Sequence, residues 1–224
     1  WILDPLCFML IYVFMFGYVF KSKQQYFAIF VFIGITLWDF FNKCLIQSVK
    51  LIKANKPIVS KVYIPKFILI LVKMGVNGFK MFISLLIIVA MLAVWRVPIT
   101  YNVIYIIPIL MTLIVLVFGF SCFLLHYGVF VEDLSNVLNI ALRFLFYLTG
   151  IFWNIMDRLP APYNSYIGRC NPIAFLLTSA RDCVIYGSTP HRKLLLLWFV
   201  IGLIISALGV RKIYKNENSY VKVI

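Results

Sequence analysis

Apolar residues run through this chain in long blocks separated by short polar or basic gaps. Blocks 1–20, 26–47, 67–94, 103–125, 137–156 and 194–210 each have the length, at 1.5 Å per helical residue, to cross or nearly cross a hydrocarbon core of about 30 Å. The pattern predicts an all-α, polytopic membrane protein with six spans, which puts both ends on one side. Block 67–94 would be about 42 Å long, more than the lipid requires. Block 103–125 carries no charge and is expected to kink at Pro108.

The gaps and the flaws in the blocks carry the remaining signal. Asp39 and Lys43 stand one helical turn apart with Asn42 between them, in the lower half of the second block. They are expected to pair close to its end, with Asp39 facing a dimer axis as the alternative. Segment 50–66 is the densest basic stretch, with Lys50, Lys53, Lys56, Lys61 and Lys66, and is broken by Pro57 and Pro65. It reads as a short interfacial helix and loop. Lys73 and Lys80, seven apart, share one face of the third block. Glu132 and Asp133 form a hydrophilic turn suited to a helix N-terminus, and Arg143 falls near the start of the fifth block. Residues 157–193 are irregular: Pro160 and Pro162 prevent one helix, and the run 173–186, containing Arg181 and Asp182, is too short to cross. That region reads as re-entrant or interfacial, and 211–224 as a polar tail.

Composition narrows the classes. Hydrophobic residues make up 64% and charged residues 12%, with a mean hydropathy of +1.02, against roughly 25% charged in soluble domains. A soluble enzyme, a cysteine-stapled secreted module and a disordered tail are excluded. The net charge of +14 lies between apolar blocks, where anionic headgroups account for it, so nucleic acid is not an expected partner. The lysines of 50–66 and the basic tail place both termini in the cytoplasm, although Arg158, Arg169, Arg181, Arg192 and Lys193 weigh against that count. Five cysteines without Cys-x-x-Cys, and only His126 and His191, offer no metal-ligand spacing. No Gly-x-x-x-x-Gly-Lys-Ser/Thr occurs, so nucleotide phosphates have no P-loop here and any ATP-driven role needs a partner.

Five pieces in order carry a family likeness: Trp1-Ile2-Leu3-Asp4-Pro5-Leu6, the stretch from Ile52 to Lys66, Phe130-Val131-Glu132-Asp133-Leu134, Asn171-Pro172 followed by Arg181-Asp182 and Tyr186-Gly187, and the ending from Glu217 to Ile224. Over essentially its whole length the chain resembles the permease subunits of type-2 ABC exporters, within them the O-antigen and wall teichoic acid translocation permeases. The resemblance implies six spans, an amphipathic helix before the first, a cytoplasmic coupling helix between the second and third, and re-entrant helices before the last. The N-terminal amphipathic helix is not in the sequence, and a natural segment is expected to precede Trp1. It further implies a bacterial plasma-membrane homodimer joined to two copies of a separate ATPase that holds ATP and Mg2+, no cofactor in this chain, and a glycan carried on undecaprenyl diphosphate.

On that likeness Ala54, Asn55, Lys56, Pro57, Ile58, Val59 and Lys61 form the ATPase-coupling helix, with Pro57 limiting it and Ile58, Val59 and Val62 giving the buried contact. Glu132 and Asp133 are a second coupling contact or a plain turn. Arg143, Phe144, Tyr147, Trp153 and Arg181 are assigned to the substrate path, Arg143 near the inner headgroups and Arg181 near the exit. Asn171, Pro172 and Asp182 belong to the re-entrant gate. Snorkelling of Arg143, a local Arg181–Asp182 salt bridge and ordinary packing of the aromatics are the competing readings. A drug or simple-lipid exporter and a non-transporting scaffold are the alternative functions.

Overall fold

The computed structural model describes residues 7, 10, 11, 14, 26–59, 61, 63–98, 100–153, 168–217, 219 and 220. The first expected span, apart from four of its residues, therefore lies outside the described residues, as do Val62, 154–167 of the irregular region and 221–224. The described elements are helices: α1 Phe27–Val49, α2 Leu51–Ala54, α3 Lys56–Val59, α4 Lys66–Val94, a 3-10 turn Tyr101–Tyr105 leading into α5 Ile106–Phe130, α6 Leu134–Leu148, α7 Pro172–Val184 and α8 Arg192–Lys215. Among the described residues four stretches, Phe27–Val49, Lys66–Val94, Tyr101–Phe130 and Arg192–Lys215, are long and apolar enough to cross a membrane.

Helices α1 and α5 form the centre. Most of α1 is buried, on all its faces along its first half. Helix α5 packs against α1, α4, α7 and most extensively α8. The α5–α8 contact uses small residues: Gly202, Ser206 and Gly209 are buried along α8 at spacings of four and three, and Ser206 Oγ donates to the Val115 carbonyl at 2.9 Å. Small side chains let two helix backbones approach where no hydrophobic effect drives them together. Helix α4 attaches by one seam, Ile70, Met74, Asn77, Met81, Ser84, Ile88 and Met91. The steps alternate between four and three residues, the repeat of a narrow helix–helix contact.

One end of the bundle gathers the ends of α1, α5 and α8 and the start of α4, together with the basic segment 50–66. Phe67 of α4 and Tyr214 of α8 lie with ring centroids 5.7 Å apart. At the opposite end Asn102 Nδ2 donates to the Gly187 carbonyl at 2.5 Å, tying the 3-10 turn to the loop after α7.

The sequence pattern is corrected in four places. The fifth block is not one helix over 137–156: α6 begins at Leu134 and stops at Leu148, the Thr149 amide bonding back to the Leu145 carbonyl. Gly150, with φ 68°, then turns the chain in a left-handed conformation that glycine adopts without steric cost. Segment 50–66 forms two single-turn helices rather than one, and Pro57 sits in the first turn of α3, where a missing N–H is harmless. Pro108 likewise falls in the first turn of α5. Helix α8 runs on to Lys215, past the apolar limit at Val210, because arginine and lysine are good helix formers.

Candidate functional site

Polar side chains inside apolar helices mark the region with chemistry. Asp39 lies in mid-helix, ten residues and about 15 Å from the Val49 end of α1, rather than close to that end. Its carboxylate pairs with Lys43 at 2.7 Å, both side chains about one-third exposed. Two grooves flank the pair. Between α1 and α6 a cavity of about 640 Å³ is lined by Asp39, Asn42, Asn139, Arg143 and Tyr147 among apolar side chains. Between α1 and α4 a cavity of about 980 Å³ is lined by Thr36, Asp39, Lys43 and Lys80 together with Phe40, Val72 and Phe79. The buried Thr36 hydroxyl has no hydrogen-bond partner.

Arg143 stands nine residues beyond Leu134, about 13 Å along α6, and shares its groove with Asp39. Val137, Ile140, Phe144 and Tyr147 form one exposed stripe along α6, each at least 60% exposed. The inner side of α6 is held by buried Ser135 and Leu142 and by Phe146, whose ring meets Trp38 edge-on at 5.5 Å. Trp153 lies half-buried past the end of α6.

Arg181 is enclosed by the chain itself. It is buried at 3% exposure, with Nε donating to the Phe30 carbonyl at 3.1 Å and the two terminal nitrogens to Gly150 and Ile151 carbonyls at 2.9 and 2.7 Å. The guanidinium carbon lies 3.6 Å from the Phe30 ring centroid. No ion pair to Asp182 forms within 4 Å; Asp182 is half-buried, and burial pushes its carboxyl up to about 6 against the opposing charge of Arg181. A planar five-donor fork is suited to three divergent carbonyls, which a point charge is not. Asn171 caps α7, its Oδ1 accepting from the Ile173 and Ala174 amides at 3.0 and 3.3 Å, and Pro172 opens the helix. Helix α7 is buried nearly all round, where its sequence suggested an amphipathic interfacial run. Cys170 and Cys183 are free thiols, one exposed and one buried.

At the basic end Lys53, Ala54, Lys56, Pro57, Ile58 and Lys61 are exposed, as are Glu132 and Asp133, and Asn55 is half-buried with Nδ2 bonded to the Leu51 carbonyl at 2.7 Å. Val59 is buried within the chain itself at 5% exposure, so of the apolar residues expected to meet a partner Ile58 presents its side chain and Val59 does not.

Residues 2–185 match the ABC-2 type transporter family. The chain belongs to that family. Two curated relatives are similar over nearly its whole length, both described as O-antigen export system permease protein RfbA from Klebsiella pneumoniae. One is 24% identical over 222 residues, covering 99% of this chain and 85% of the relative. The other is 24% identical over 224 residues, covering 100% and 85%. The expected likeness to an ABC-2 permease is thereby shown, and the chain is a multi-pass membrane protein of that family.

One constellation of this ABC-2 chain was not found from sequence. The polar tail folds back: Lys66, expected as a lipid-facing loop cation, is 2% exposed and pairs with Glu217 at 3.3 Å, while Tyr63 donates to the other Glu217 oxygen at 3.2 Å. The neighbouring carboxylate holds the Tyr63 phenol above its usual range. Tyr220, fully buried, places its hydroxyl 2.8 Å from His126 Nδ1 and packs on Phe130. The two tyrosines of the otherwise polar tail, Tyr214 and Tyr220, were the available sequence hint. Tyr220→Phe keeps the packing and removes one buried hydrogen bond, so a loss of about 1 kcal/mol is expected in the thermal unfolding of the detergent-solubilised protein. An unchanged midpoint would show that the hydroxyl contact contributes nothing.

Proposed function

We propose that this chain is the membrane subunit of an ATP-driven exporter of lipid-linked polysaccharide. The observation that carries the reading is the groove between α1 and α6, where Asp39, Asn42, Asn139 and Arg143 gather at depth in otherwise apolar helices. Ionisable side chains at such positions are costly in lipid and are retained where they face a wet path or a ligand. The ABC-2 family match and the two O-antigen export permease relatives support a polysaccharide as the substrate class; the reading takes it to be a glycan, O-antigen-like or wall teichoic acid, carried on undecaprenyl diphosphate. Arg143 would meet the diphosphate, since a guanidinium fork matches phosphate oxygens bidentately.

A half-channel needs a second half. The exposed stripe Val137, Ile140, Phe144 and Tyr147 supports pairing of α6 with a second copy of this chain, which would place Arg143 and its groove beside the shared axis. Energy comes from two copies of a separate ABC ATPase bound at the basic end, through Ala54, Asn55, Lys56, Pro57, Ile58 and Lys61, with Glu132 and Asp133 adjacent. The density of lysines there supports a cytoplasmic location for that end and for both termini, in a bacterial plasma membrane. Transport would then follow from unequal affinity of the diphosphate for two states of the dimer.

The test is transport of lipid-linked glycan in proteoliposomes holding permease and ATPase. Arg143→Ala is expected to lower transport about tenfold or more, equivalent to one charge-assisted contact, with Arg143→Lys recovering part of it. Wild-type transport and wild-type substrate-stimulated ATPase activity in the Ala variant would remove Arg143 from the path.

A further inference from the structure

A third groove lies at the end of the bundle opposite the basic one, between α5 and α8. Its cavity of about 440 Å³ is walled by Pro108, Met111, Leu195, Leu196 and Phe199, and Arg192 stands at its margin. The guanidinium carbon is 5.1 Å from the Tyr105 ring centroid, which holds the charge over the mouth rather than leaving it to sweep through solvent. Arg192 and Lys193 open α8 with no acidic residue in the first turn, and neither has an acidic partner among the described residues. Two cations at the positive end of a helix dipole repel it. An anion between them reverses the sign of that interaction.

The two halves of this site ask for one amphipathic ligand. The groove is apolar, and the exposed side chains of Met111 and Leu196 at its rim leave it open to the bilayer. The charge at its mouth is fixed, positive and at the boundary of the helix. We infer that the α5–α8 groove binds one anionic glycerophospholipid, an acyl chain lying along Met111, Leu195 and Phe199 and the phosphate on Arg192. A zwitterionic lipid fills the same groove and lacks the net charge. The site lies away from the α1–α6 groove and does not depend on which substrate is exported.

The test uses the purified full-length chain in detergent, titrated with phosphatidylglycerol or phosphatidylcholine of identical acyl chains and read by native mass spectrometry. Phosphatidylglycerol should be retained about fivefold more tightly than phosphatidylcholine, the effect of one basic residue near a charged surface. Arg192→Gln should abolish that preference while phosphatidylcholine binding stays the same. Met111→Trp, which fills the groove from an exposed position, should weaken both lipids. Equal retention of the two lipids by the wild type, or a preference that survives Arg192→Gln, would overturn the inference. Loss of the preference in Arg192→Gln with no effect of Met111→Trp would also overturn it, because the charge would then act without the groove.

Discussion

Arg181→Ala should destabilise this protein by about 4 kcal/mol or more. The substitution removes three hydrogen bonds from a charged donor to the carbonyls of Phe30, Gly150 and Ile151; hydrogen bonds to charged groups contribute roughly 1.5–3 kcal/mol each. The loss is distributed over three elements, because Phe30 belongs to α1, Gly150 and Ile151 follow α6, and Arg181 itself is in α7. Lysine should recover less than half, since one ammonium cannot reach three divergent acceptors while stacking on Phe30. Thermal unfolding of detergent-solubilised variants decides the matter, with the exposed Arg169→Ala as a control expected within about 0.5 kcal/mol of wild type. An Ala variant melting with the wild type would show that the three contacts carry no stability.

Gly128→Ala is the second substitution with a large expected effect. Helix α1 ends against α5 there so closely that an added Cβ would collide with the Val49 carbonyl oxygen and lie 2.8 Å from its carbon and 2.9 Å from Val49 Cα. These are backbone atoms and cannot step aside by changing rotamer, so the helices must separate. Overpacking of this kind costs about 3 kcal/mol or more. Gly75→Ala is the matched comparison: its Cβ would meet nothing within 4 Å, and the change should stabilise α4 by up to about 1 kcal/mol through helix propensity. The same chemical substitution therefore carries opposite signs at two positions, and equal effects in a melting experiment would contradict the crossing geometry.

How much of this was legible beforehand follows from what hydropathy measures. The long helices were, because a run such as 67–94 has no competing reading, and α4 is found over Lys66–Val94. The Asp39–Lys43 pair was, because i,i+4 spacing is local. The end of α6 was hidden by Ile151, Phe152 and Trp153, which prolong the apolar run past the turn; Thr149-Gly150 was the available signal. Arg181 could not be placed, because its partners stand some 30 and 150 residues away and are backbone atoms that carry no side-chain signature. Lys66 was misread for the same reason: a lysine's burial depends on whether a carboxylate reaches it, and Glu217 comes from the other end of the chain.

The seam of α4 has a mechanical meaning. Three of its members, Met74, Met81 and Met91, are unbranched thioethers that repack at little cost, and the cavity beside it leaves the facing side chains of α1 and α4 room to move. One helix end is pinned by the Lys66–Glu217 pair, while the opposite end finishes in the exposed Val94, Trp95 and Arg96. The seam also has a polar pin midway, where the buried Asn77 amide donates to Gln47 Oε1 at 3.1 Å, so a displacement of α4 has to turn about Asn77 rather than slide along α1. A tilt about that pin would change the width of the space beside Asp39, because Asn77 lines the same cavity.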